Sequence, residues 1–164
     1  MLIRSVRLAG VILSAAAILY FWARHHYSGT PPPALPGESC DGGLWSHVYR
    51  PKRLRILSPC TSVVGRVVSL QREEDGDLHI DLEPDDASVL NLVNAMHGGR
   101  HLVAEIVCEH APERDDIKAV CAGLAQGVAA PAVGERVRVT GSFVTDRESG
   151  WNEVHPVARI DKLR

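Results

Sequence analysis

Two short stretches carry the side chains best suited to chemistry, His79-Ile80-Asp81 and Glu153-Val154-His155. In each, an imidazole and a carboxylate stand two residues apart, so on an extended strand they project from one face. If the two strands meet across the mouth of a small barrel, two imidazoles and two carboxylates converge on a donor set suited to zinc or another divalent ion. A metal held by His79, Asp81, Glu153 and His155 would activate water, so the enzymatic reading is a metal-dependent hydrolase. The plainer reading is that outward strand positions are polar and that His155-Pro156 ends one. Trp151, beside Gly150, offers a ring for a ligand to stack on, or one that packs across the end of a sheet. His79, Asp81, Trp151, Glu153 and His155 are therefore the candidate ligand-binding residues.

Other chemistries find less support. Glu74, Asp75 and Asp77 resemble part of a calcium loop, but the twelve-position pattern is missing and a hairpin turn accounts for them. Asp77, Asp81 and Arg66 have the residue types of a metal-dependent nuclease, without a spacing that requires it. Serines are scattered and no G-x-S-x-G occurs. His25 and His26 read as polar residues at an interface. Four cysteines permit three pairings. Cys40–Cys60 with Cys108–Cys121 is preferred, because each pair closes a short local loop and contributes about 3 kcal/mol. A four-cysteine zinc site would need closely spaced pairs, which are absent. No cofactor is expected.

The elements that must position these residues are extended. Residues 62–72 (SVVGRVVSLQR) form a strand that Gly65 bends or bulges. Asp75-Gly76 signals a type I′ turn into a second strand, where Leu78, Ile80 and Leu82 alternate with His79, Asp81 and Glu83. Asp85 or Asp86 caps a helix running to Met96, with Val89, Leu92, Val93 and Met96 on one face. Residues 101–107 (HLVAEIV) are the third strand, and residues 115–122 a short helix in a loose excursion. Val137, Val139, Gly141 and Phe143 alternate into a fourth strand. A polar turn, Asp146-Arg147-Glu148-Ser149-Gly150, then leads to a fifth strand over residues 151–160. The fold class is mainly β, a five-stranded OB-like barrel with one or two short helices and an N-terminal transmembrane helix.

Three regions follow: a membrane anchor or signal segment at residues 1–27, a proline-rich linker at 28–44, and the domain at 45–164. Residues 8–23 are uncharged and apolar, follow Arg4 and Arg7, and end in Tyr20-Phe21-Trp22. This is the pattern of a span whose start stays inside and whose domain is extracytoplasmic. The alternative is a cleaved signal that leaves the domain secreted or periplasmic. The prolines favour an extended spacer holding the domain off the membrane. The basic run from Trp45 to Arg55 reads as a solvated face, or as a contact for acidic headgroups or a partner. Arg4, Arg7 and Arg24 leave 15 of the 18 basic residues to face all 20 acidic ones beyond residue 29. Aromatic rings there are limited to Trp45, Tyr49, Phe143 and Trp151. Single-stranded nucleic-acid binding is therefore disfavoured, since it needs basic charge and stacking rings.

Several phrases carry a resemblance: Trp45-Ser46-His47-Val48-Tyr49, Pro59-Cys60 with Val64-Gly65-Arg66-Val67, Asp75 to Ile80, Leu102 to Cys108, and Gly150-Trp151-Asn152-Glu153-Val154-His155-Pro156-Val157. In these the chain resembles small exported bacterial proteins with an OB-like domain. The resemblance implies that fold and export, and implies no activity. The stronger helix signal between the second and third strands departs from the usual plan, whose helix joins the third and fourth. The sequence thus points to a non-catalytic binding or interaction module whose partner is an envelope protein, glycan or small ligand.

Overall fold

Strands occupy every alternating stretch in the computed structural model, which describes residues 16–23, 26–96, 99–124 and 127–164. They are β1 Leu54–Arg72, β2 Leu78–Pro84, β3 Leu102–Ile106, β4 Arg136–Asp146 and β5 Asn152–Lys162. One sheet runs in the order β1-β2-β3-β5-β4, and β4 bonds back to β1, so the sheet closes on itself. Neighbours are antiparallel except β3 and β5, where Val103 and Ala104 lie beside Glu153 and Val154.

Closure depends on β1, which pairs with β4 from Leu54 to Arg66 and with β2 from Gly65 to Arg72. Both neighbours meet it at Gly65. A Cβ there would lie 2.6 Å from the Glu83 carbonyl oxygen, so close backbone approach is what requires glycine. The bulge itself falls just beyond, between Val67 and Ser69. β1 starts at Leu54 rather than Ser62, and its register slips on either side of Ser58. Those slips blur the period-2 pattern that would have announced the earlier start.

Alternation sends Val67, Ile80, Leu82, Ala104, Phe143 and Val154 into the main apolar core. Apart from Ala104, each such side chain contributes about 1.5–3 kcal/mol on burial. A smaller cluster, Val48, Leu54, Val107 and Val144, is separate from it. The helix expected over residues 85–96 is instead a 3-10 turn, Ala87–Val89, and a short helix, Leu92–Met96. Asp86 accepts the Ser88 N–H, and the Asn91 side chain accepts from Val93 and Asn94 N–H, so each piece has its own cap. The expected apolar stripe is broken: Met96 is exposed and Asn94 is buried. The β3–β4 connection carries the helix Asp115–Cys121. Disulfides join Cys40 to Cys60 and Cys108 to Cys121, each with Cα atoms 5.5 Å apart.

The β1–β2 turn differs from the two-residue type I′ form. Only Gly76 of the Asp75-Gly76 pair has positive φ (+97°), and the Glu73 N–H reaches the Asp77 carbonyl to close a wider loop. Residues 16–23 are helical and expose Ile18, Leu19, Tyr20, Phe21 and Trp22. The rest of the expected span lies outside the described residues, as does His25. Among the described residues no helix is long and apolar enough to cross a membrane. Residues 28–35 of the proline-rich stretch form neither helix nor strand, yet they lie against the domain. Gly29 and Thr30 N–H donate to the Leu90 and Ser88 carbonyls (2.8 and 3.1 Å), and the Thr61 hydroxyl donates to the Pro32 carbonyl (2.7 Å).

Candidate functional site

His79 on β2 stands directly opposite Glu105 on β3. Ile80, Leu82, Ala104 and Val154 fill the main core, so the residues alternating with them, His79, Asp81, Glu105, Glu153 and His155, occupy the opposite face of the sheet. They meet on that wall rather than across a mouth. Nor is the face open: Glu153 is 1% and His155 0% exposed. His155-Pro156 does not end β5, which continues to Lys162.

The candidates form one hydrogen-bonded network, and its centre is a residue outside the expected set. Glu105 Oε2 lies 2.6 Å from His155 Nδ1, and Glu105 Oε1 lies 3.4 Å from His79 Nδ1. His79 Nε2 faces Asp81 Oδ1 at 3.4 Å, and the Ser69 hydroxyl donates to Asp81 Oδ2 at 2.5 Å. His155 Nδ1 also faces Glu153 Oε1 at 3.2 Å, while Trp151 Nε1–H donates to Glu153 Oε2 at 3.0 Å. The two imidazoles thus aim at one carboxylate, where the metal-site reading placed a shared cation. Trp151 is held by its indole N–H inside the network.

Arg53 supplies the matching positive charge. It bonds Asp146 and lies 3.6 Å from Glu105 and 3.9 Å from Glu153, with its side chain only 15% exposed. This corrects the reading of the basic run as a solvated face at Arg53, although Arg55 is exposed. Arg66, cast with Asp77 and Asp81 as a nuclease set, donates instead to the Gly134 carbonyl. Burial pulls His79 and His155 down, but the surrounding carboxylates outweigh it and raise each to about 10. Burial pushes Glu105 up, and His155, His79 and Arg53 together hold it well below the usual carboxylate range. The His79 hydrogen bond keeps Asp81 low.

Asp77 is the second addition to the site. It belongs to a hairpin turn, as its neighbours suggest, but it is buried and its Oδ1 accepts the Cys108 N–H at 2.8 Å. Burial and nearby Asp75 push its carboxyl up to about 7. Its Oδ2 faces His155 Nε2 at 3.8 Å, and among the described residues neither atom has a hydrogen-bond partner. One donor atom each from Asp77, Glu105 and His155 lie within 4.8 Å of one another. Sequence spacing reveals His/carboxylate pairs within a strand, whereas Glu105 joins through the β2–β3 register and Arg53, Asp77 and Asp146 through contacts distant along the chain. The available signal was Glu105 itself, a lone acid inside the apolar run HLVAEIV.

No protein-family model matches the chain, and no curated protein matches it.

Proposed function

We propose that the chain is a membrane-tethered, extracytoplasmic binding module on an OB-like barrel, and that it works by binding rather than catalysis. The observation that carries this reading is the inward pairing of the residues with catalytic chemistry. His79 meets two partners among the described residues and Glu105 and Glu153 three each, and Glu153 and His155 are sealed from solvent. A hydrolase would need its base or its metal's open position to reach substrate. These side chains hold one another, as a scaffold does. Closure in the order β1-β2-β3-β5-β4 and a helix between the third and fourth strands support the OB-like assignment. Exposed apolar residues 18–22 and the preceding arginines support the tether, and two disulfides favour an oxidising compartment.

The ligand-facing surface is a cleft of about 610 Å³ lined by Arg50, Pro51, Lys52, Arg53, Arg147 and Glu148. Glu148 pairs with Arg50 at 2.7 Å and Arg53 is committed inward, which leaves Lys52 and Arg147 to attract an anionic group on an envelope partner. Crosslinking in intact cells followed by partner identification tests the reading. Capture of one envelope component should be lost in the double charge reversal Lys52→Glu/Arg147→Glu and kept in His79→Ala. Capture that depends on His79 and ignores the cleft would instead favour the metal-dependent hydrolase using His79, Asp81, Glu153 and His155.

A further inference from the structure

The network closes on itself except at one joint. Asp77 Oδ2 and His155 Nε2 are buried, face each other at 3.8 Å and make no hydrogen bond. That separation is too long for a hydrogen bond. We propose that a single divalent cation of the zinc class binds between Asp77 and His155, with Glu105 as the third protein ligand, and ties the β1–β2 turn to β3 and β5. This inference does not depend on the tether or on the cleft.

Three observations converge on it. Bonds from zinc to imidazole nitrogen and carboxylate oxygen run about 2.0–2.2 Å, so two donors on one tetrahedral ion lie roughly 3.4 Å apart, and a small side-chain shift brings this pair to that spacing. The third donor is near, since all three ligand atoms lie within 4.8 Å of one another. Glu153 Oε1, 3.2 Å from His155 Nδ1, holds that N–H when Glu105 turns to the ion, and so keeps Nε2 aimed at Asp77, where the cation takes the place of the Nε2 proton and releases it to solvent. Charge points the same way: among the described residues, the ion-pair partners of Asp77, Asp81, Glu105, Asp146 and Glu153 are Arg53, His79 and His155, three cations for five carboxylates. An added cation supplies the positive charge that this wall lacks. One imidazole and two carboxylates in a dry setting suit zinc, whereas calcium takes six to eight oxygens and magnesium keeps several waters.

The test uses the full-length protein, stripped with a chelator and titrated with cobalt(II), then zinc. Expected are one cobalt per chain, displaced by zinc, and an X-ray absorption spectrum with one imidazole among oxygen donors. Asp77→Asn should weaken cobalt binding at least tenfold, and His26→Ala should leave it unchanged. The proposal fails if the folded chain takes up no cobalt at millimolar concentration, or if Asp77→Asn binds as well as wild type. It also fails if the spectrum reports two imidazoles or a sulfur ligand. Should Asp77→Asn not fold, the absorption spectrum of the native chain decides.

Discussion

Arg53 carries more stability than its exposed neighbours, because three buried carboxylates depend on it. Arg53→Ala leaves Asp146, Glu105 and Glu153 short of positive charge in a region that excludes water. Breaking a buried pair from one side costs about 3–5 kcal/mol. The matched control, Arg55→Ala, removes an exposed side chain and should cost under about 0.5 kcal/mol. Urea denaturation of the two variants measures the difference, and equal midpoints would show that the charges do not act as a unit. Asp81 gives a pH dependence. Its folded pKa is lowered, first by the His79 hydrogen bond and then by Ser69 despite some burial, so its contribution is complete above the unfolded value near 3.8. That contribution is lost as pH falls through the folded value. Thermal melts should therefore show wild type losing its advantage over Asp81→Asn below pH 4, and an advantage unchanged down to pH 2 would refute the pairing. What the sequence made legible at this scale was the pairing inside a strand, His79 with Asp81 and Glu153 with His155. What it concealed was Glu105, whose role depends on standing opposite His79 in the β2–β3 register.

Among the elements, the strands were readable because each half-buried wall repeats every second residue. The helical pieces were not. Asp86 and Asn91 cap two short turns where the apolar spacing alone reads as one helix, and capping side chains compete with helix continuation. A close backbone approach between elements is also invisible in composition. At Gly141 a Cβ would fall 2.4 Å from the Pro156 carbonyl oxygen and 2.7 Å from Val154 Cγ1, where the β4–β5 register slips. Gly141→Ala must push the two strands apart, at about 1–3 kcal/mol or more for overpacking, and should broaden amide resonances along β5. Gly134 provides the contrast, with φ of +87° and nothing within 4 Å of a Cβ. Gly134→Ala therefore meets only the left-handed penalty of about 1–2 kcal/mol and should leave β5 unperturbed. Chemical denaturation with amide spectra of both variants separates crowding from backbone strain.

At the scale of the whole chain, the proline-rich stretch reads as a spacer by composition, but its backbone is bound to the domain. Tyr27 N–H still bonds the Ala23 carbonyl, and two residues later Gly29 is paired with Leu90. Backbone pairing with the domain thus begins within two residues of Tyr27. Asn152 is the side chain that holds this junction. Its Nδ2 donates to the Gly29 and Val89 carbonyls (3.0 and 3.3 Å), and its Oδ1 accepts from Asn91 and Thr145 (3.2 and 2.9 Å). Composition could not reveal this, because a proline-rich segment binds through backbone groups whose partners sit far along the chain. Hydrogen exchange on the full-length protein tests it. In wild type, the Gly29 and Thr30 amides should exchange at least tenfold more slowly than that of exposed Gly37. Asn152→Ala strips four hydrogen bonds from buried or half-buried groups, should cost about 1–3 kcal/mol, and should bring both amides toward the Gly37 rate. If the wild-type amides already exchange as fast as Gly37, the proline-rich segment hangs free of the domain.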